Sequence, residues 1–348
     1  MILHLVSDNQ KFDEPYIEFI NKNFDKKEHI FFTWGDYSHL NHDINNVFRI
    51  RGLGLFSILQ SILVSKKIIV HSLFVHWFVV MLLLIPNTLR KTYWIVWGGD
   101  LYCYKNRKKK IKYILFEILR AHFIRNIRAI CTLIEEDYYL ARVWYNTKAK
   151  YIQARYVLKD IAYANLVSKY PVKACKYKQI LVGNSATTEN RHIEVFKLLE
   201  KYKNEELQIL CPLSYGDSEY RKKVIKEGSL IFGNKFHPIT TFMESKDYIK
   251  LLSTIDVAIF NNNRQQALGN LYLLMILKKK IYVDPLMPVW KNFTKHKINL
   301  YNINNIQKLN YIDFLNADYE ALDVNNNIVL KMNSEKTLYN IWCTIFND

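Results

Sequence analysis

At 348 residues, half of them hydrophobic and 14% aromatic, the chain can fill two α/β cores, and only ten glycines and seven prolines argue against disordered linkers or repetitive β architecture. Five dispersed cysteines, Cys103, Cys131, Cys175, Cys211 and Cys343, include no C-x-x-C pair and read as reduced, mostly buried thiols rather than a disulfide framework. A net charge of +17 calls for an anionic partner, whether nucleic acid, a membrane surface or a phosphorylated substrate, although codon bias toward lysine accounts for part of it.

The first eight residues lack a basic n-region and a cleavage site and read as a first strand rather than a signal peptide. Short β-rich runs then alternate with amphipathic stretches, the pattern of a parallel sheet wrapped by helices. Strands are predicted over 2–6, 30–34, 68–71, 93–97, 130–133 and 150–154, with helices over 15–24, 56–63, 74–85 and 109–124. The longest apolar run, 73–85, is too short to span a bilayer and contains His76, so it reads as a buried helix. The alternation breaks over 157–177, around Pro171, and restarts with strands over 179–182, 208–211, 235–237, 256–260 and 280–283. Helices over 190–202, 219–226, 246–252 and 268–277 lie between them. A last helix, 335–346, carries Leu338, Ile341, Trp342 and Ile345 on one face, able to pack back across the halves. The expected division is 1–160 and 161–348, two Rossmann-like domains facing across a cleft, with ligands at the carboxyl ends of the strands.

Chemistry should therefore sit in strand-to-helix loops. The loop over 181–192 offers Gly183 for close backbone approach, with Asn184, Ser185, Thr187 and Thr188 just before a helix. Such a loop either caps the helix or cradles a phosphate on backbone N–H groups. The loop over 261–270 packs three asparagines, Arg264, Gln265 and Gln266 ahead of an apolar helix. That is more polarity than a solvated turn needs. Near its helix start, Gly269 and Asn270 could seat a diphosphate that Arg264 neutralises. In the first half, Trp97-Gly98-Gly99-Asp100-Leu101-Tyr102 follows an apolar strand. Asp100 there could take a proton from a substrate hydroxyl or cap the next helix, with His71 and Asp8, beside Asn9, as reserves.

Arg107, Lys108, Lys109, Lys110 and Lys112 open a stretch in which Arg120, Arg125 and Arg128 interleave with Tyr113, Ile114, Phe116, Leu119 and Phe123. This reads either as a basic amphipathic helix lying on an anionic membrane or as a solvated helix face. No nucleic-acid motif, no Asp-x-Asp, no His-Glu-x-x-His and no paired Cys/His spacing occurs, so neither nucleic acid nor a metal is expected. The first turn lacks Gly-x-Gly-x-x-Gly, against a dehydrogenase.

Taken together, Trp97 to Tyr102, Leu181 to Ser185 with His192-Ile193 behind, Pro212 to Tyr215, Tyr248 to Phe260, Arg264-Gln265-Gln266 and Pro288-Val289-Trp290 stand in an order and spacing that resembles glycosyltransferase family 56. Its members are TDP-N-acetylfucosamine:lipid II N-acetylfucosaminyltransferases, also described as 4-alpha-L-fucosyltransferases, of enterobacterial common antigen synthesis. The likeness spans most of the chain and is strongest over about 178–295; after the glutamines the sequence departs from the family pattern. The resemblance implies a GT-B fold and a TDP-sugar donor on the C-terminal half, where Tyr215 joins the loop residues above. It also implies a polyprenyl-diphosphate-linked acceptor on the N-terminal half and peripheral attachment to the cytoplasmic face of the bacterial inner membrane. No cofactor is implied. The expected reaction is a metal-independent displacement in which Gly183, Ser185, Arg264, Gly269 and Asn270 stabilise the leaving diphosphate. The alternatives are a nucleotide-sugar epimerase of the same fold, which would have little use for the basic helix, and a non-catalytic nucleotide-sugar or polyanion-binding protein.

Overall fold

Parallel strands covered on both faces need short, nearly continuous apolar runs, and most of the strands among the described residues are such runs. The computed structural model describes residues 1–7, 10–34, 45–50, 54–105, 111–170 and 176–348. The chain forms two compact units, Met1–Leu158 with Ser334–Asp348, and Lys159–Asn333.

In the first unit β1 (Ile2–Val6), β2 (His29–Thr33), β3 (Val47–Arg49), β4 (Lys67–His71), β5 (Thr92–Val96), β6 (Ala129–Thr132) and β7 (Lys150–Gln153) make a parallel sheet ordered β3-β2-β1-β4-β5-β6-β7. Period-two alternation sorts the side chains. Leu3, Leu5, Ile68, Val70, Trp94 and Val96 share a core with Ile58, Ile62, Phe78, Leu82, Phe123 and Ile124 from the helices Gly54–Val64, His76–Leu84 and Ile111–Asn126. Phe31, Ile69, Tyr93, Ile95 and Cys131 share the opposite core with Tyr16, Ile17 and Ile20 of the helix Gln10–Asn23 and with Leu338, Trp342 and Ile345 of the last helix, Glu335–Asn347.

That last helix completes the first unit. Lys67 of β4 donates to the carbonyls of Ile345 and Phe346 at 2.5 and 3.1 Å, closing the helix C-terminus with a cation. Trp342 Nε1 donates to the Arg155 carbonyl at 3.0 Å, and Asp348 receives Tyr93, Arg128 and Lys150. The second unit is a parallel sheet ordered β10-β9-β8-β11-β12-β13, built from β8 (Lys178–Val182), β9 (Leu207–Pro212), β10 (Phe236–Ile239), β11 (Val257–Phe260), β12 (Lys280–Val283) and β13 (Tyr301–Asn302). Pro238 is tolerated because β10 is an edge strand.

The strands β3 and β13 were not expected; at three and two residues they are too short to show alternation. The stretch 157–177, expected to be a connector, holds a helix, Asp160–Val167, that packs within the second unit against the helices Ser245–Thr254 and Leu268–Ile276. Among the described residues no helix is long and apolar enough to cross a membrane.

Candidate functional site

In both sheets the strand order reverses direction beside the first strand of the unit, between β1 and β4 and between β8 and β11. The loops leaving such a pair diverge and open a crevice at the carboxyl edge. In the second unit those loops, 183–191 and 261–267, fall within the two polar segments singled out above, 181–192 and 261–270.

Asn190 organises the first loop. Its Oδ1 accepts from the Asn184 N–H at 3.0 Å, and its Nδ2 donates to Ser185 Oγ at 3.1 Å and Thr187 Oγ1 at 2.9 Å. Gly183 turns at φ +69°, and a Cβ there would lie 2.5 Å from His192 Nε2 and 2.9 Å from Asn190 Oδ1, so only glycine fits. Burial holds the His192 imidazole down at about 4, so it is neutral. Asn184 donates to the Tyr215 hydroxyl at 3.0 Å, which brings the exposed ring from the loop after β9 to the same edge.

Arg191, at φ +47°, ties three carboxyl-edge loops together: it donates to the Asn261 carbonyl at 2.6 Å and to Asn261 Oδ1 at 2.8 Å, and it pairs with Asp284 after β12. Asn262, completely buried, donates to Asn184 Oδ1 at 3.5 Å. Arg264 lies 3.4 Å from Glu189 Oε1 and donates to the Gln265 carbonyl at 3.2 Å, half-buried. Gln265 and Gln266 are buried. The helix Leu268–Ile276 begins after Ala267, at φ +60°, without a side-chain cap. Its first-turn N–H groups are therefore available to an anion. A Cβ on Gly269 would stand in open space, and Asn270 bonds the Tyr248 side chain. The structure thus gathers Gly183, Asn184, Ser185, Tyr215, Arg264, Gln265, Gln266, Gly269 and Asn270 at one carboxyl edge. Asn190, Arg191, Asn262 and Asp284, which hold it in shape, carried no local signal beyond a polar run.

The first unit departs from expectation. Asp100 is 1% exposed, and its carboxylate accepts from Leu73 N–H at 3.0 Å, Trp94 Nε1 at 2.8 Å and Trp97 N–H at 2.9 Å. Burial raises its pKa, against which these donors and Arg120 work. A shielded carboxylate with three donors braces the ends of β4 and β5 and is poorly placed to meet a sugar hydroxyl. His71 is also enclosed. Its Nδ1 meets the Tyr156 hydroxyl at 2.5 Å, Trp97 Nε1 donates to that hydroxyl at 2.7 Å, and burial lowers the imidazole to about 3. Asp8 and Asn9 lie outside the described residues.

Arg107, Lys108, Lys109 and Lys110 also lie outside the described residues, and Lys112 lies in the first turn of the helix Ile111–Asn126, whose later cations are engaged by neighbouring segments. Arg120 is buried, paired with Glu117 at 3.2 Å and donating to the Asp100 carbonyl and the Tyr145 hydroxyl. Arg125 donates to the Tyr145 carbonyl at 2.8 Å, and Arg128 lies beyond the helix beside Asp348. The outward face is instead aliphatic, with Ile111 at 77%, Ile114 at 50%, Leu115 at 58% and Ile118 at 61% exposure. Among the described residues no group of three or more His, Cys, Asp or Glu side chains is placed to hold a metal.

Solved structures share this architecture over the whole chain. A UDP-forming alpha,alpha-trehalose-phosphate synthase from Burkholderia vietnamiensis matches with a TM-score of 0.69 at 10% identity, covering 100% of both chains. HepE of Anabaena, solved with UDP and glucose, matches at 0.69 and 10%, covering 99% of each. A glycosyltransferase from Rickettsia africae matches at 0.65 and 13%, covering 99% of this chain and 97% of that one. At such identities the likeness defines the fold: two parallel sheets in the GT-B class of glycosyltransferases. The family is defined separately. Residues 60–334 match the model of the 4-alpha-L-fucosyltransferases, glycosyl transferase group 56, and the chain belongs to that family. It is a sugar transferase.

Proposed function

We propose that this transferase moves N-acetylfucosamine, a deoxy amino sugar, from a TDP donor onto a polyprenyl-diphosphate-linked glycan, without a metal ion, in bacterial surface-polysaccharide synthesis of the enterobacterial common antigen type. The observation that carries this reading is the carboxyl edge of the second unit. The Gly183 and Asn184 N–H groups are spent on the Ile259 carbonyl and Asn190 Oδ1, which fixes the turn, while Ser185, the uncapped helix start at Gly269 and Asn270, and the guanidinium of Arg264 offer polar groups and positive charge at the switch point between β8 and β11. A diphosphate needs both to leave the anomeric carbon, and Arg264 exchanges its contact with Glu189 for the phosphates. HepE, of the same fold, was solved with UDP and glucose, which favours a nucleotide-diphosphate donor.

The acceptor falls to the first unit. The aliphatic face of the helix Ile111–Asn126, preceded in sequence by Arg107, Lys108, Lys109 and Lys110, suits a peripheral position on the anionic cytoplasmic leaflet of the inner membrane. The test incubates the full chain with TDP-N-acetylfucosamine and lipid-linked acceptor, with and without excess EDTA, and follows release of TDP. Acceptor-dependent release that survives EDTA is expected. Donor turnover to an isomer without acceptor would establish an epimerase, and abolition by EDTA would end the metal-independent mechanism.

A further inference from the structure

Beyond the diphosphate cradle, the loop after β11 carries two buried amides whose hydrogen bonding is incomplete. Asn262 is 0% exposed and Gln266 is 9% exposed, and neither Asn262 Oδ1 nor Gln266 Nε2 has a hydrogen-bond partner. An unmet buried polar atom costs on the order of 1–3 kcal/mol, so two within five residues of one loop ask for a reason. Packing alone does not give one, because a leucine and a methionine would fill the same volumes without the penalty.

The two atoms are of opposite kind. Asn262 spends its amide N–H on Asn184 Oδ1 at 3.5 Å, which leaves a carbonyl oxygen, an acceptor. Gln266 leaves an amide nitrogen, a donor. Both belong to the segment between the end of β11 and the helix Leu268–Ile276, and Asn262 is bonded directly to the Asn184 of the cradle. We propose that Asn262 and Gln266 form the specificity pair of the donor site, recognising a ligand group that sets an N–H beside a C=O. This rests on the donor-site reading above and adds to it the chemistry that is read. An amide or cyclic imide edge presents one fixed donor and one fixed acceptor, the complement of the two orphans. A hydroxyl rotates to suit either partner and is discriminated poorly. Two parts of a nucleotide sugar carry such an edge: the acetamido substituent of the sugar and the imide edge of a pyrimidine base. A ligand lacking it leaves both side chains unmet, which makes the pair selective as well as attractive.

The test measures affinities of the full chain and of the variants Asn262→Leu and Gln266→Met for four probes: pyrophosphate, TDP, TDP-glucose and TDP-N-acetylfucosamine. Affinity for pyrophosphate should stay at the wild-type value in Gln266→Met, which also reports an intact cradle, whereas Asn262→Leu gives up its bond to Asn184, so its losses are taken relative to its own pyrophosphate affinity. A loss of roughly 5- to 100-fold is expected, the equivalent of one unmet polar partner. Appearing already with TDP, it assigns the pair to the base; appearing only with the N-acetylated donor, it assigns it to the acetamido group. Equal affinities for every probe overturn the proposal, as does a parallel loss that includes pyrophosphate, which marks the amides as loop struts. A loss equal for both TDP-sugars but absent for TDP points to a sugar hydroxyl and overturns the amide assignment. If the wild-type chain binds none of the four, the donor-site reading itself fails. Should either substitution prevent folding, the isosteric Gln266→Glu replaces the donor with an acceptor, and the same pattern is required of it.

Discussion

A single carboxylate separates what a motif suggests from what a fold makes of it. Asp100 follows two glycines at the end of an apolar strand, a place where a base is reasonable, yet the donors that meet it come from Leu73, Trp94 and Trp97 in two separate parts of the chain. Asparagine at that position turns an N–H toward at least one of those donors. Asp100→Asn is therefore expected to lower stability by about 2–4 kcal/mol, seen as a shift in denaturant midpoint, with activity falling in proportion to the folded fraction. Wild-type stability combined with a kcat loss of orders of magnitude would restore the catalytic role. Arg264 gives the opposite expectation. Its contacts to Glu189 and the Gln265 carbonyl are half-buried and replaceable, so Arg264→Ala should leave the melting temperature nearly unchanged. TDP affinity should fall by about tenfold or more, since a charge-assisted phosphate contact is lost. Calorimetric titration giving an unchanged Kd would remove Arg264 from the phosphate site.

Elements were legible where their information is local. The loops after β8 and β11 announced themselves because turns and helix starts recruit Gly, Asn, Ser and Thr within a few residues, and the parallel order of the sheets followed from alternation. Long-range pairings left no such mark. His4 on β1 reaches His29 on β2 at 3.0 Å and His71 on β4 at 3.4 Å, three imidazoles whose sequence spacing says nothing of their meeting. The helix Ile111–Asn126 was half legible. Its amphipathic composition was evident, but a helix of mixed charge and aliphatic residues does not announce which set faces inward, and Arg120 is inside because Glu117, Tyr145 and the Asp100 carbonyl receive it. The membrane reading therefore shifts from cations within the helix to its aliphatic face. Replacing Ile114 and Ile118 together by serine should leave donor binding and melting temperature near wild type, since both side chains are already largely exposed. Sedimentation with vesicles containing anionic lipid should show a clear loss of bound protein, because each buried apolar side chain contributes about 1.5–3 kcal/mol. Undiminished sedimentation would leave the basic run alone to explain any membrane affinity.

For the molecule as a whole, the chain crosses from the first unit to the second at Leu158 and returns at Ser334, so the stability of the first unit depends on a segment that follows the whole second unit in sequence. Trp342 and Phe346 of that segment pack on the histidine group, Trp342 against His71 and Tyr16, Phe346 against His4 and His29. The two units consequently differ in how they answer acid. In the first, burial, with the neighbouring His29 and His71, lowers His4; burial, with the N-terminal amine, lowers His29 to about 4; burial lowers His71 to about 3. In the second unit, burial lowers His192 to about 4. Unfolding returns each imidazole to its ordinary value of about 6.5. Between that value and the lower folded ones, the unfolded chain binds more protons than the folded chain. The stabilising contribution is therefore complete above about pH 6.5 and shrinks as the pH falls, by up to about 1.4 kcal/mol per pH unit for each imidazole that stays neutral. Unperturbed carboxylates lie below the window from about pH 6.5 to 5, since their ordinary values are near 4, and Asp100, raised by burial, would oppose the histidine slope rather than add to it. Hydrogen exchange measured across that window should show the amides of β1, β2 and β4 losing protection more steeply than those of β8, β9 and β11. Replacing His71 by glutamine, which hydrogen-bonds without titrating, should flatten the first unit's slope measurably, since it removes one of the four imidazoles, His4, His29, His71 and His76, that burial lowers there. Equal slopes in the two units, or a His71→Gln slope matching wild type, would mean that the histidine group is not what makes this fold sensitive to acid.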